Sequence, residues 1–292
     1  LPVIFKNPRL PDYFRNVKGV RADMALDQVP SIVHPYEHAQ VLTFPNLRFD
    51  IDHDFWAALP TEGHPKLKKL SSSPAEGDPS DDPLLDRRLR DADLPPELQR
   101  RLKREIVRLY EQVLPVYERL FGGYRFVKRQ VVWRLNTVRN ENLHVDTYAT
   151  DLPDHFARLF INLDAQPRIW TTGFTIEDMF ERFGDRVPTE VLAAGSPGDV
   201  RNAVNAAAFG GRSNVWWDQQ PRHVVYFDPG EVWAVDSRQV AHQIFYGRRA
   251  VSIDFFVDEL SMGKFKRHYL RMADNFRRKA LAARQAPPAA AE

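Results

Sequence analysis

Short apolar runs separated by turns, a change of hydrophobic period from about 3.6 to two near residue 124, and the lack of alternating strand and helix units predict the fold class. The expectation is a mainly β, double-sheet fold with flanking helices (α+β), not a parallel α/β fold. The chain has 292 residues, 43% of them hydrophobic, so it can bury a sizeable core. Net charge is only +2, which gives no sign of a nucleic-acid partner. There is no cysteine, so disulfides, thiolate metal sites and a Cys nucleophile are excluded. Any metal must sit on His, Asp or Glu.

Residues 1–60 mix short apolar runs with prolines. Val41-Leu42-Thr43-Phe44 reads as a strand ended by Pro45-Asn46. Asp50, Asp52 and Asp54 imitate a calcium loop, but Phe55 stands where the loop needs Gly and Thr61 where it needs Glu. A helix capped by Asp52 or Asp54 is preferred. Residues 61–93 are polar and read as a linker, or as a flap over a site. A helix follows. Asp93 is its expected cap, Pro95 and Pro96 suit its first turn, and Gly122-Gly123 end it. Leu98, Leu102, Ile106, Tyr110, Val113, Tyr117 and Leu120 give it one apolar face, and Pro115 is expected to kink it.

Strand character then dominates: 129–136, the stretch around His144, 157–163, 168–173, 223–227, 231–235 and 249–257. Thr175-Ile176-Glu177-Asp178 resembles a capping box that opens a helix through Phe183. The expected organisation is a single domain, 1–292. It comprises an N-terminal extension (1–123), a β core (124–257) with a helical insertion at about 174–222, a basic C-terminal helix (258–285) and a tail (286–292). That helix is expected mainly to pack on its own domain, with peripheral contact to an anionic membrane as the alternative. No apolar run approaches the roughly 20 residues that span a bilayer, and residues 1–6 lack a signal peptide's core. The expected location is cytoplasmic, or peripheral at the inner membrane.

Leu143-His144-Val145-Asp146 carries the candidate chemistry. On a strand, Asn142, His144, Asp146 and Tyr148 share one face. A lone H-x-D is weak, with about 0.4 matches expected by chance in an average chain with this histidine count. His242 adds a second imidazole far downstream, where a strand returns. Two His and one carboxylate can hold ferrous iron with one face open. In the following strand Arg249 shares parity with Val251, Ile253 and Phe255. That face is expected to point into the barrel, and an inward cation needs an anion. A guanidinium fork fits a carboxylate. Arg248 has the opposite parity and is expected to face solvent.

H-x-D, a distal His and an Arg opening the next strand resemble the iron(II)/2-oxoglutarate-dependent oxygenase superfamily over about 130–257. The resemblance implies a double-stranded β-helix (jelly roll, cupin-like) buttressed by helices. It implies His144, Asp146 and His242 as ligands of Fe(II), and Arg249, or its neighbour Arg248, on the distal carboxylate of 2-oxoglutarate. The implied reaction uses O2, converts 2-oxoglutarate to succinate and carbon dioxide, and hydroxylates an unactivated C–H bond. Within the superfamily, Leu143-His144-Val145-Asp146, Leu159-Phe160-Ile161-Asn162 and Pro167-Arg168-Ile169-Trp170 resemble the Kdo (3-deoxy-D-manno-oct-2-ulosonic acid) hydroxylases, which oxidise the acidic sugar of lipopolysaccharide. The pattern departs at Thr147–Pro153 and at Thr171-Thr172, where a basic residue is expected. The implied partner is a small-molecule or glycolipid substrate. Arg134, Arg158, Asn162, Arg168, Trp170 and Tyr148 are candidates for the pocket wall, the first three toward the co-substrate. The same chemistry on an amino acid or natural product is the alternative. A zinc hydrolase lacks its H-E-x-x-H signature here, and a non-catalytic jelly-roll module has no use for the triad.

Overall fold

The computed structural model describes residues 1–60, 62–135, 142–146, 154–210 and 220–285. The whole Thr147–Pro153 departure, Tyr148 included, and the tail at 286–292 lie outside the described residues. The strands are β1 (Val3–Phe5), β2 (Phe14–Asn16), β3 (Val41–Thr43), β4 (Leu70–Ser72), β5 (Phe126–Lys128) and β6 (Val131–Arg134). They continue as β7 (His155–Asn162), β8 (Arg168–Thr175), β9 (His223–Phe227), β10 (Val232–Ala234), β11 (Val240–Tyr246) and β12 (Ala250–Val257). The helices are α1 (Val33–Glu37), α2 (His53–Ala58), α3 (Pro83–Arg90), α4 (Pro96–Leu120), α5 (Ile176–Phe183), α6 (Thr189–Ala194), α7 (Pro197–Phe209) and α8 (Tyr269–Gln285).

Two sheets face each other without closing into a barrel. One has the order β1-β9-β8-β11; the other runs β2-β3-β10-β7-β12-β6-β4, with β5 also on β12. Strands from the first 72 residues complete both sheets, so the β structure extends beyond 124–257. The central pair is β7 with β12, antiparallel from Ala250↔Asn162 to Val257↔His155.

Strand alternation divides this pair into two unlike faces. Ala157, Leu159 and Ile161 of β7, with Val251, Ile253, Phe255 and Val257 of β12, pack outward against the apolar stripe of α4. Phe160 faces the second sheet, in a smaller aromatic cluster with Trp170, Phe227 and Trp233. A third cluster joins α5 and α7 to Leu143, Val145, Phe174 and Ala241, directly behind the His144 segment.

Several expected elements form, with local differences. Asp52 caps α2 by accepting from the Phe55 amide at 2.9 Å, and Thr175 with Asp178 forms the capping box of α5. Asp93 does not cap α4. It lies at φ 53°, and the N-cap is Pro95. Residues 61–93 are no plain linker: they supply β4 and α3. The reason is sparse but well-placed burial, since Leu67, Leu70, Leu85 and Leu89 all enter the main core.

Most cations of the C-terminal helix region are engaged. Arg267 pairs with Glu177, Arg271 with Glu259, and Arg277 and Arg278 with Asp274. Arg284 donates to the Gly184, Asp185 and Val187 carbonyls. No helix among the described residues is long and apolar enough to cross a membrane.

Asp82 ties the 73–82 loop to α3. Its carboxylate accepts from the Leu85 amide at 2.8 Å and the Ser73 amide at 2.7 Å, and it is buried. Asp82→Ala is expected to cost about 1–2 kcal/mol of stability, measured by urea unfolding.

Candidate metal centre

His144 lies on an isolated antiparallel bridge to His242 of β11. The two residues exchange both backbone bonds: the His144 amide donates to the His242 carbonyl at 3.1 Å, and the His242 amide to the His144 carbonyl at 2.8 Å. A directly opposed pair carries its side chains on the same face, and the ring centroids are 4.9 Å apart. Two residues on, the Asp146 amide donates to the Ser237 carbonyl at 2.8 Å. His144, Asp146 and His242 each offer one ligand atom, all within 4.8 Å of one another.

Both rings are oriented through their inner nitrogen. His144 Nδ1 meets the Asn142 carbonyl at 2.6 Å and His242 Nδ1 meets the Val240 carbonyl at 3.2 Å. A ring that donates from Nδ1 keeps the Nε2 lone pair free for a metal, the usual arrangement of ligating histidines. Burial lowers the His242 pKa to about 4 despite the Asp146 charge beside it, so the ring is neutral near pH 7. Trp170 stacks on the His242 ring at 5.2 Å and 23°, restricting its rotation. Burial on its own would raise the Asp146 carboxyl, but Arg158 and the two imidazoles hold it well below the ordinary carboxylate range. Two imidazole nitrogens and a carboxylate suit a borderline divalent cation such as ferrous iron.

Arg158 lies on the cavity wall, with its guanidinium engaged by two acids. Its Nη1 bonds Asp146 and Ser237 Oγ, and its Nε lies 3.2 Å from Asp254. Ser237 Oγ donates to Asp146 at 2.8 Å. Arg158 holds the ligand carboxylate, leaving its charge balanced by two acids. Ser237 carries no motif that marks it in the sequence. Its place is set by burial of the whole 236–239 turn.

Arg249 and Arg248 are not in the cavity beside the triad. Arg249 is fully buried but faces the opposite side of the sheet, where Nε donates to the Trp56 carbonyl at 2.9 Å and Nη2 to that of Leu59. It meets the C-terminal end of α2, whose free carbonyls favour a cation. The parity expectation failed because an apolar strand face marks a core, and here the more apolar core lies under the helices. The face with Ala250 and Ser252 lines the cavity instead. Arg248 forms a forked pair with Asp164 at 3.1 and 3.2 Å. Asn162 secures a turn rather than the cavity: Nδ2 donates to the Gln166 and Phe227 carbonyls and Oδ1 accepts from the Asp164 amide.

Arg134, Arg168 and Trp170 do line the cavity, with Asp146, Arg158 and His242. Arg168 is 1% exposed. Its Nη1 donates to the Gly247 carbonyl at 3.3 Å, while Nε and Trp170 Nε1 have no hydrogen-bond partner among the described residues. Burial, and then the neighbouring Arg134 cation, lower the Arg168 pKa to about 9, with Asp164 offsetting only part. Gly247 makes room for it: at φ 142°, a Cβ there would lie 2.7 Å from Arg168 Cγ. Thr171, where the family pattern suggested a base, instead donates from Oγ1 to Gln243 at 3.0 Å.

The family described as 3-deoxy-D-manno-oct-2-ulosonic acid (Kdo) hydroxylase matches residues 21–200. The chain belongs to the Kdo hydroxylase family. The matched stretch of this family member includes His144 and Asp146 and stops before His242. Its fold is similar to the apo structure of the Kdo hydroxylase KdoO, described as a non-heme Fe(II) alphaketoglutarate dependent dioxygenase. The TM-score is 0.66 at 15% identity, covering 94% of this chain and 99% of that one. The KdoO complex with alphaketoglutarate and Fe(III) gives 0.65 at 14% identity, covering 94% and 99%. The cobalt(II) complex gives 0.65 at 15%, covering 96% and 99%. At such identities the likeness is one of fold: the double-stranded β-helix with flanking helices. No curated protein matches the sequence.

Two outcomes test these placements. His144→Ala and His242→Ala are expected to lose ferrous-ion binding by calorimetry under argon, with circular dichroism unchanged; full binding by either variant removes that ligand. Arg249→Ala is expected to lose about 2–4 kcal/mol of stability, while the folded protein binds 2-oxoglutarate as before. A selective loss of 2-oxoglutarate binding returns Arg249 to the site.

Proposed function

We propose that this chain is an iron(II)- and 2-oxoglutarate-dependent hydroxylase of a Kdo-type sugar acid. The observation that carries the reading is the convergence of the His144 and His242 Nε2 atoms on the Asp146 carboxylate in a buried cavity. Membership of the Kdo hydroxylase family names the substrate class.

His144, Asp146 and His242 would hold the iron. When bound, the metal with 2-oxoglutarate and O2 supplies the oxidising equivalent for C–H hydroxylation, and succinate and carbon dioxide leave. The chain's own residues bind, orient and shield. Arg158 and Ser237 fix the Asp146 carboxylate so that its remaining lone pairs face the imidazoles. Arg168 is our assignment for the distal carboxylate of 2-oxoglutarate. It is the deepest cation on the cavity wall, and no acid pairs with it among the described residues. A buried guanidinium with an idle N–H is costly unless an anion meets it. Leu143, Val145 and Ala241, packed under α5 and α7, keep water from the back of the metal site.

Exposed Lys264, Lys266 and Lys279 have no acidic partner among the described residues, and we assign to them any contact with an anionic membrane bearing a glycolipid substrate.

Anaerobic addition of ferrous iron and 2-oxoglutarate is expected to produce a visible metal-to-ligand band, and adding the sugar acid with oxygen is expected to release succinate. A folded protein that gives no band rejects the oxygenase reading. Arg168→Ala is expected to raise the 2-oxoglutarate requirement tenfold or more with ferrous affinity retained.

A further inference from the structure

The cavity holds more positive charge than the metal chemistry uses. Arg158 is balanced by Asp146 and Asp254. Arg168 takes one carboxylate, that of the co-substrate, on the reading above. Arg134 lines the same cavity nearer solvent and has no acidic or hydrogen-bond partner among the described residues.

A second cation stands opposite it. β4 pairs with β6 in the register Leu70↔Trp133, Ser71↔Val132 and Ser72↔Val131. Lys69 precedes β4 with extended backbone, φ −145° and ψ 100°. The Leu135 amide then donates to the Leu67 carbonyl at 3.1 Å, so the register slips by one residue and Lys68 and Lys69 together oppose Arg134 in a bulge. Directly opposed residues present their side chains on one face, and for Arg134 that face is the cavity wall. β6 also pairs with β12 at Arg134↔Ala250, and Ala250 lines the cavity too. The Lys69 side chain remains solvent-exposed, yet desolvation and then Arg134 lower its pKa.

Like charges opposed across a strand pair are destabilising. Here Lys69 stands against Arg134, which lines the cavity, and no acid pairs with either among the described residues. Asp254, whose charge acts on Lys69, is held by Arg158 and accepts from Ser252 Oγ. Such a pair is stable in company with an oxyanion that both cations can share.

We propose that Lys69 and Arg134 form a clamp for the carboxylate of the substrate, separate from the deeper cation that serves 2-oxoglutarate. The assignment rests on the sugar-acid reading and deepens it. The enzyme selects an anionic substrate by a cross-strand pair on β4 and β6, and the clamp holds the acid end while another carbon faces the metal. Because β4 comes from the polar stretch before α3, that stretch contributes directly to specificity.

The test compares wild type, Lys69→Gln, Arg134→Gln, the double variant, and the charge-keeping Lys69→Arg and Arg134→Lys. All are loaded with ferrous iron and 2-oxoglutarate under argon. Kdo, its methyl ester and inorganic phosphate are titrated by calorimetry, and the visible band reports 2-oxoglutarate. Each Gln variant is expected to bind Kdo about tenfold more weakly or worse, with 2-oxoglutarate affinity within about twofold. The charge-keeping variants are expected to recover most of the affinity, which a merely structural role would not produce. The methyl ester is expected to bind wild type as weakly as Kdo binds the variants. Phosphate is expected to compete with Kdo in wild type and to lose binding in the double variant.

Unchanged Kdo affinity in both Gln variants, or a parallel fall in 2-oxoglutarate affinity, overturns the clamp. If wild type binds phosphate through Lys69 and Arg134 but does not bind Kdo, the sugar reading fails while the clamp stands. If phosphate and Kdo bind all variants equally, the clamp fails while the sugar reading stands.

Discussion

The reciprocal pair of backbone hydrogen bonds between His144 and His242 is the constraint on which the site depends. It is a single bridge rather than part of a ladder, yet it joins residues almost a hundred positions apart and sets both imidazoles on one face. Everything nearby reinforces it. The Asn142 and Val240 carbonyls orient the rings, Trp170 stacks on one of them, and the Asp146–Ser237 backbone bond extends the pairing by one more point. A cluster of apolar side chains from α5 and α7 covers the back.

A second constraint is the unequal character of the two sheet faces. The larger sheet buries its apolar face under α4 and leaves its polar face toward the other sheet. Arg158, Ser252 and Asp254 can lie inside the sandwich because they satisfy one another and Asp146. Arg249, one residue before β12, falls on the helical side and is absorbed by the end of α2. The lumen thus holds a cation whose charge is met internally, Arg158, beside two with no acidic partner among the described residues, Arg168 and Arg134.

Much of the site was legible in the sequence because its chemistry is carried by residue type. H-x-D on extended backbone, a histidine at a strand return and arginines on neighbouring strands pointed to the His144, Asp146 and His242 cluster and to four residues that line its cavity, Arg134, Arg158, Arg168 and Trp170. Turn and cap residues were legible for the same local reason, as Asp52 and the Thr175–Asp178 box show. Arg249 was misplaced because period-two parity distinguishes two faces without saying which one is the lumen. The polar stretch 61–93 was misread because four well-spaced leucines fall below the threshold of a periodic pattern.

The sequence by itself determined the fold class, the candidate donor set and the family resemblance, since these depend on residue identity and short-range spacing. Only the tertiary structure decided which arginines lack an acidic partner among the described residues, that Ser237 bonds the Asp146 carboxylate, and that Lys69 stands against Arg134. Those properties arise from the register between distant strands and from which side of a sheet the helices cover. Both are fixed by the packing of the whole chain rather than by any segment of it.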